Sequence, residues 1–269
     1  MTHPSTCLFD LSERTAIVTG GGGILGRYFC HALAAYGANV VVVDRNQDAA
    51  QQVAASLPGK PLAIGMDITD EQAVIHLKDR VCSTYGGIDI LHNNAATKPA
   101  DLARFFDSVE TFQDDVWQEV MRVNVDGMFL VAKHIGGEMA RRGRGSIIQT
   151  ASIYGILAPD QRIYEGSDYL GHHINTPAVY SASKAAVVGL TRHLATYWAG
   201  RGVRVNTLTP GGVESGQNQT FKDRYSARVP LGRMAQPQEM TGALVFLASD
   251  ASSYITGQNI IVDGGLSAW

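Results

Sequence analysis

Tyr180 and Lys184 stand four residues apart in Tyr180-Ser181-Ala182-Ser183-Lys184, at the start of a strongly helical pattern. On a helix this spacing puts both side chains on one face, with Cβ atoms about 5–6 Å apart. A free phenol has a pKa of about 10, and a nearby ammonium favours its phenolate. Such a pair suits proton transfer near neutral pH. An isolated YxxxK is common and by itself describes only a surface helix pair. Ser152, in Gln149-Thr150-Ala151-Ser152-Ile153-Tyr154-Gly155, follows a β-branched run. In an open α/β sheet ligands bind beyond the carboxyl ends of the strands, where a hydroxyl at Ser152 could hold a substrate oxygen. A turn serine is the plainer reading. Asn124, in Arg122-Val123-Asn124-Val125-Asp126-Gly127, sits inside a helical pattern although Asn is a poor helix former. There it can bend the helix and support an ordered water, or be a tolerated polar residue.

A second constellation lies near the start of the chain. The first β-branched run leads directly into Thr19-Gly20-Gly21-Gly22-Gly23-Ile24-Leu25-Gly26. Glycines there allow a tight turn and let backbone N–H groups approach a pyrophosphate. The helix starting near Gly26 points its N-terminal dipole at that charge. Gly21, Gly23 and Gly26 satisfy G-x-G-x-x-G, a weak signal among four consecutive glycines until a strand and a helix flank it. The next strand ends in Asp44, 24 residues beyond Gly20. A carboxylate there accepts from both ribose hydroxyls and repels a 2′-phosphate, which favours NAD over NADP. Arg45 opposes this, since a guanidinium can pair with that phosphate. Asp67 is placed to face the adenine edge, and the small residues of Asn93-Asn94-Ala95-Ala96 leave room for a cofactor. A turn or helix cap is the competing reading of both.

These residues need a scaffold. Strands are expected at Thr15–Thr19, Asn39–Asp44, 61–66, 88–92, Gly145–Thr150, 204–208 and Asn259–Val262. Helices are expected at 48–57, Glu71–Tyr85, 116–140, 179–199 and 237–248. The alternation predicts an α/β fold: one doubly wound (Rossmann) domain over residues 1–269, with about seven parallel strands and helices on both faces. Residues 159–177, PDQRIYEGSDYLGHHINTP, are polar, aromatic and aperiodic, and read as a long surface loop. Lying between Ser152 and Tyr180, the loop should border a substrate. It carries Asp160, Gln161, Arg162, Tyr164, Glu165, Asp168, Tyr169, His172, His173 and Asn175, hydrogen-bonding groups suited to a polyol or sugar acid. Arg162 is the first choice for a substrate carboxylate or phosphate, with Tyr154, Tyr164 and Glu165 as further substrate contacts. The competing reading packs the loop on a neighbouring subunit. Adjacent histidines seldom chelate one ion, and no metal is expected.

The chain has 269 residues, a net charge of −3 and a pI near 6.2. No basic face is implied, so nucleic acid and anionic membranes are poor partners. Cys7, Cys30 and Cys82 form no CxxC pair and read as free thiols in a reducing compartment. The first fifteen residues show no signal peptide, and no apolar run is long enough to span a bilayer. A cytoplasmic protein is the expectation.

The glycine turn, Asp44, NNAA, the Asn124 segment, Ser152, YSASK and Pro210-Gly211-Gly212-Val213-Glu214-Ser215 occur in the order of the short-chain dehydrogenases. With the terminal block LASDASSYITGQNIIVDGG, the chain resembles that family over about residues 12–265. The resemblance implies Tyr180 as general acid/base, Lys184 as the group that binds the nicotinamide ribose and tunes Tyr180, Ser152 as the substrate-orienting hydroxyl, and Asn124 as holder of a proton-relay water. It implies cofactor contacts from Gly20, Gly23, Ile24, Leu25 and Gly26, from Asp44, Arg45, Asp67 and Ile68, and from Asn94 and Ala95. Pro210, Gly211, Val213 and Ser215 would meet the nicotinamide end. Three features depart from the pattern. Ile24 replaces a glycine of TGxxxGxG, so that TGxxGxxG fits instead; NNAA replaces NNAG; and Ser152 and Tyr180 are 28 residues apart, about twice the usual interval.

The run SIYGILAP…RIYEG…PAVYSASK…LATYWA…GGLSAW is similar to gluconate 5-dehydrogenase-like members and to those that modify flagellin and surface sugars. This implies NAD-dependent hydride transfer at a carbinol or carbonyl carbon of a polar, carbohydrate-like substrate, in a homotetramer or homodimer. Two rivals are an NADPH-dependent 3-oxoacyl reductase and a non-catalytic NAD-binding protein. The intact Ser152, Tyr180 and Lys184 set argues against the second.

Overall fold

The computed structural model describes residues 8–269. Its strands are β1 (Thr15–Thr19), β2 (Asn39–Asp44), β3 (Leu62–Gly65), β4 (Ile90–Asn93), β5 (Gly145–Thr150), β6 (Asp168–Tyr169), β7 (His172–His173), β8 (Val203–Pro210) and β9 (Asn259–Val262). Seven of them form one parallel sheet in the order β3-β2-β1-β4-β5-β8-β9, while β6 and β7 pair antiparallel as a separate ribbon. The helices are α1 (Ile24–Ala35), α2 (Gln47–Ala55), α3 (Glu71–Tyr85), α4 (Leu102–Phe105), α5 (Asp114–Met121), α6 (Met128–Arg142), α7 (Ala178–Trp198), α8 (Gln219–Ser226) and α9 (Thr241–Ala248).

The central strands are apolar and β-branched because both of their faces are covered. Ala16 and Val18 of β1 join Phe29 and Leu33 of α1 and Leu244 and Leu247 of α9. Ile17, pointing the other way, joins Leu77 of α3, Ile135 of α6 and Trp198 of α7. This period-two alternation makes two core layers from one strand. The chain reverses its direction of travel across the sheet between β1 and β4, so their carboxyl ends open a crevice.

Local departures from expectation have local causes. The helix expected over 116–140 is broken into α5, a π-helical segment Arg122–Gly127 and α6, with Asn124 fully buried in the π segment. Such bulges open the regular ladder for a side chain to be used elsewhere. The stretch 237–248 begins as a 3-10 turn, Pro237–Met240, with proline in the first turn. The largest correction concerns 159–177, which is not a plain surface loop. It contains the 3-10 turn Gln161–Tyr164 and the β6–β7 ribbon. Ile163, Tyr164 and Ile174 are buried with Phe221 and Tyr225 of α8, forming a satellite core. Cys30 and Cys82 are free thiols, and Cys7 lies outside the described residues. Among the described residues no helix is long and apolar enough to cross a membrane, and no cluster of metal-ligating side chains occurs.

Candidate active site

The glycine turn closes on itself as tightly as its composition suggests. Gly20 has φ +65°, a region that disfavours side chains, and a Cβ there would lie 2.9 Å from Ala95 Cα. A Cβ on Gly26 would come within 2.0 Å of the Gly20 carbonyl oxygen. Helix α1 starts at Ile24 without a side-chain cap, so its first N–H groups face the crevice. One Asp44 oxygen accepts from the Gly22 N–H at 3.0 Å and the other from the Asn46 N–H at 2.9 Å. Asp44 therefore shapes the turn as well as standing in the cleft.

That cleft, about 400 Å³, is lined by Gly20, Gly23, Ile24, Leu25 and Gly26, by Asp44 and Arg45, by Asp67 and Ile68, and by Asn94 and Ala95. Asp67 also accepts the Thr69 N–H at 2.8 Å, as a turn cap does. The asparagine pair does more than leave room. Asn94 Nδ2 donates to the Thr19 carbonyl at 3.1 Å, and Thr19 Oγ1 accepts from the Asn94 and Ala95 N–H groups at 2.9 and 3.0 Å. Asn93 Nδ2 donates to the Met128 carbonyl at 2.7 Å and to Gln149 Oε1 at 3.0 Å. These bonds tie the ends of β1, β4 and β5 together at the mouth of the crevice.

Ser152 and Tyr180 line an adjoining cavity of about 480 Å³, which shares Ile24, Leu25, Ala96 and Thr97 with the first. Lys184 lies behind them, 2% exposed, and donates from Nζ to the Thr150 carbonyl at 3.0 Å. Burial pushes its ammonium down to about 8. Burial also raises the Tyr180 phenol, while the facing Ser152 hydroxyl pulls it down. Behind this, the buried His92 meets the Thr150 hydroxyl at 2.8 Å, and burial holds its imidazole down to about 3, hence neutral. The Asn124 side chain accepts the Thr97 N–H at 2.9 Å and donates to Ser183 Oγ at 3.2 Å. Ser183 Oγ in turn donates to the Tyr180 carbonyl at 2.9 Å, so the π segment braces the start of α7.

Much of the remaining cavity wall is aromatic: Phe105 and Phe106 after the asparagine segment, Tyr154, Tyr164 and Tyr169, and Phe221 and Tyr225. Tyr164 donates to the Tyr154 hydroxyl at 3.3 Å and shares a short hydrogen bond with Thr176. Burial raises the phenols of both Tyr154 and Tyr164. Gly211, Val213 and Ser215 line the cavity; Pro210, expected beside them, is buried at the end of β8 and lines neither space.

Arg162 and Glu165, expected at the substrate, are outside the cavity. The 3-10 turn directs Ile163 and Tyr164 inward and therefore turns their neighbours to solvent. The Arg162 side chain is 84% exposed and pairs with Asp160 at 2.8 Å. Glu165 faces Arg224 at 3.9 Å. Instead, backbone and edge groups fasten the segment to α8: Arg224 donates to the Arg162 carbonyl at 3.0 Å, Asn218 to Asp168 at 2.8 Å, and Arg228 approaches Asp160 at 3.6 Å. Sequence reasoning missed Lys98, Phe106, Gln217 and Tyr225 in the cavity. Lys98 had a positional signal, two residues beyond NNAA; the others had none, being delivered by distant segments.

The sequence pattern of a family described as enoyl-(acyl carrier protein) reductase matches residues 23–267. The chain belongs to the short-chain dehydrogenase/reductase family. This short-chain dehydrogenase is 36% identical to galactitol 2-dehydrogenase (L-tagatose-forming) of Cereibacter sphaeroides, over 97% of this chain and 98% of the relative. It is 33% identical to gluconate 5-dehydrogenase of Gluconobacter oxydans (strain 621H), over 99% of each. A solved structure of a gluconate 5-dehydrogenase from Burkholderia cenocepacia J2315, in complex with NADP and tartrate, superposes with a TM-score of 0.84. The identity there is 33%, with 97% of this chain and 98% of that one covered. As a short-chain dehydrogenase the protein is an oxidoreductase using a nicotinamide cofactor. The residues present fit that group: a glycine turn too close for any Cβ, an uncapped helix start and a carboxylate on the neighbouring strand.

Proposed function

We propose that this short-chain dehydrogenase interconverts a carbinol and a carbonyl on a polar, carbohydrate-like substrate, with NAD preferred over NADP. The observation that carries this reading is that Ser152 and Tyr180 line the cavity that adjoins the cleft, with Lys184 buried behind them. The cofactor supplies the hydride donor or acceptor when bound. Tyr180 takes the carbinol proton during oxidation and returns it during reduction. Ser152 hydrogen-bonds the same oxygen and orients the reacting carbon. Lys184 holds the cofactor ribose and favours the phenolate, and Asn124 supports the water through which protons leave. Asp44, in the cleft beside the turn, opposes a 2′-phosphate by charge repulsion and so supports NAD.

Relatives named for galactitol and gluconate support the substrate class. Segment 159–177 acts as the substrate-side loop through Tyr164, Tyr169 and Thr176 rather than through its charges. Ring faces can cover the C–H faces of a sugar while the Tyr154 and Tyr164 hydroxyls meet its oxygens. The test is a panel of polyols, sugars, sugar acids and nucleotide sugars, assayed with NAD and NADP by absorbance of the reduced nicotinamide. Turnover of none of them removes the proposal. The aromatic wall also favours one rival, a 3-oxoacyl thioester reduced with NADPH, and faster turnover of that compound would replace the reading.

A further inference from the structure

We propose that Lys98 reads a negative charge on the substrate, so that the substrate is a hydroxylated acid, carrying a carboxylate or phosphate, rather than a neutral polyol. The inference rests on the reading above in placing the substrate in the aromatic-walled cavity.

Among the described residues Lys98 is the one charged side chain lining that cavity. The other basic residues nearby are spoken for: Arg162 by Asp160, Arg224 by the Arg162 and Glu165 carbonyls, Lys222 by Glu214. Lys98 has no salt bridge among the described residues. Its Nζ instead lies 4.4 Å from the centroid of the Tyr169 ring. Tyr169 is partly buried, and a cation over a tyrosine ring is held more weakly than one in a charge-assisted hydrogen bond to an anion. An incoming carboxylate or phosphate oxygen can therefore draw the ammonium from the ring without breaking an ion pair. The two partners come from different segments: Lys98 from the stretch after β4, and Tyr169 from the β6–β7 ribbon within the 159–177 segment. Lys98, Tyr169 and the proposed proton-transfer group Tyr180 all line the same cavity. A substrate with its reacting carbon at Tyr180 and its charge at Lys98 is fixed at two points. A neutral polyol lacks the second.

Tartrate and threitol test this, since they share a four-carbon vicinal-diol skeleton and differ in charge. Each is titrated into the protein saturated with NADH, with nicotinamide fluorescence reporting binding, so that no turnover is required. The expected result is tighter binding of tartrate than of threitol by tenfold or more. In Lys98→Met that ratio should collapse toward one, and Lys98→Arg should restore it. NADH titration of each variant confirms a folded cofactor site. Equal binding of the two probes by the wild type overturns the proposal, as does a preference that persists in Lys98→Met. A Lys98-dependent preference for tartrate supports the anion site even if the panel of polyols and sugar acids shows no turnover. Turnover of neutral polyols with no dependence on Lys98 leaves the proposed reaction standing and removes this inference alone.

Discussion

The cleft proposed for the nucleotide draws its walls from turns that follow neighbouring strands, whereas the proposed substrate cavity is assembled from six or so segments far apart in the chain. In the cleft, Gly20 to Gly26, Asp44, Asp67 and Asn94 are each within a few residues of a strand end in the β3-β2-β1-β4 half of the sheet. Its geometry is fixed by backbone contacts, such as the Gly22 N–H on Asp44 at 3.0 Å and the close approach of Gly26 to Gly20. In the cavity, side chains do the work. Tyr164 reaches Tyr154 and Thr176, Tyr225 reaches Gly212, and α8 is fastened to the 159–177 segment by Arg224 and Asn218. A backbone-defined site tolerates few residue types but recurs with one ligand. A side-chain-defined site can be rebuilt by changing loops, which is how one scaffold comes to serve many substrates.

The largest expected effect lies at the junction of the two regions. Tyr180→Phe keeps the ring and removes the proton donor, so kcat should fall by roughly 10²-fold or more with NADH binding retained. A variant with near-normal kcat on the true substrate would falsify the assignment. Lys184 offers a pH-dependent break. Its folded value of about 8 lies below the 10.5 of a free lysine, so within that window the unfolded chain binds the extra proton. Raising the pH through the window therefore favours the fold, and lowering it through 8 removes that gain. Measured against Lys184→Met, the wild type should gain stability on the order of 3 kcal/mol between pH 8 and 10.5. Parallel denaturant titrations showing a constant gap across that range would mean that the ammonium is not buried.

The next two changes separate the regions. Tyr225→Phe should leave the Gly212 N–H without the hydroxyl it now meets at 2.5 Å, at a cost of about 1–3 kcal/mol in unfolding free energy. NADH affinity should be unaffected, and a variant that loses both would show that cavity and cleft are one cooperative site. Asp44→Ala should lower the ratio of kcat/KM for NAD to that for NADP by about tenfold, by removing the charge that repels a 2′-phosphate. A wild type that already favours NADP would instead put Arg45 in control of the strand end.

The alternation of apolar runs was enough to determine a seven-stranded parallel sheet with helices on both faces, because burial on both sides imposes an apolar pattern on the central strands. The glycine turn, Asp44, Ser152, Tyr180 and Lys184 were equally legible, since each stands at a fixed offset from a strand or helix end. Other features were decided only by the tertiary structure. Asn124 announces itself as a poor helix former, but only the fold brings Thr97 and Ser183, distant in sequence, to its two amide ends in the π segment. The composition of 159–177 is polar, yet burial of Ile163, Tyr164 and Ile174 against α8 turns its charges outward. Arg162 was therefore misplaced by sequence reasoning, while Lys98 reached the cavity unnoticed. A short aperiodic segment carries no internal record of which face it will bury. That face is chosen by the apolar surface it meets, here Phe221 and Tyr225 some fifty residues further along the chain.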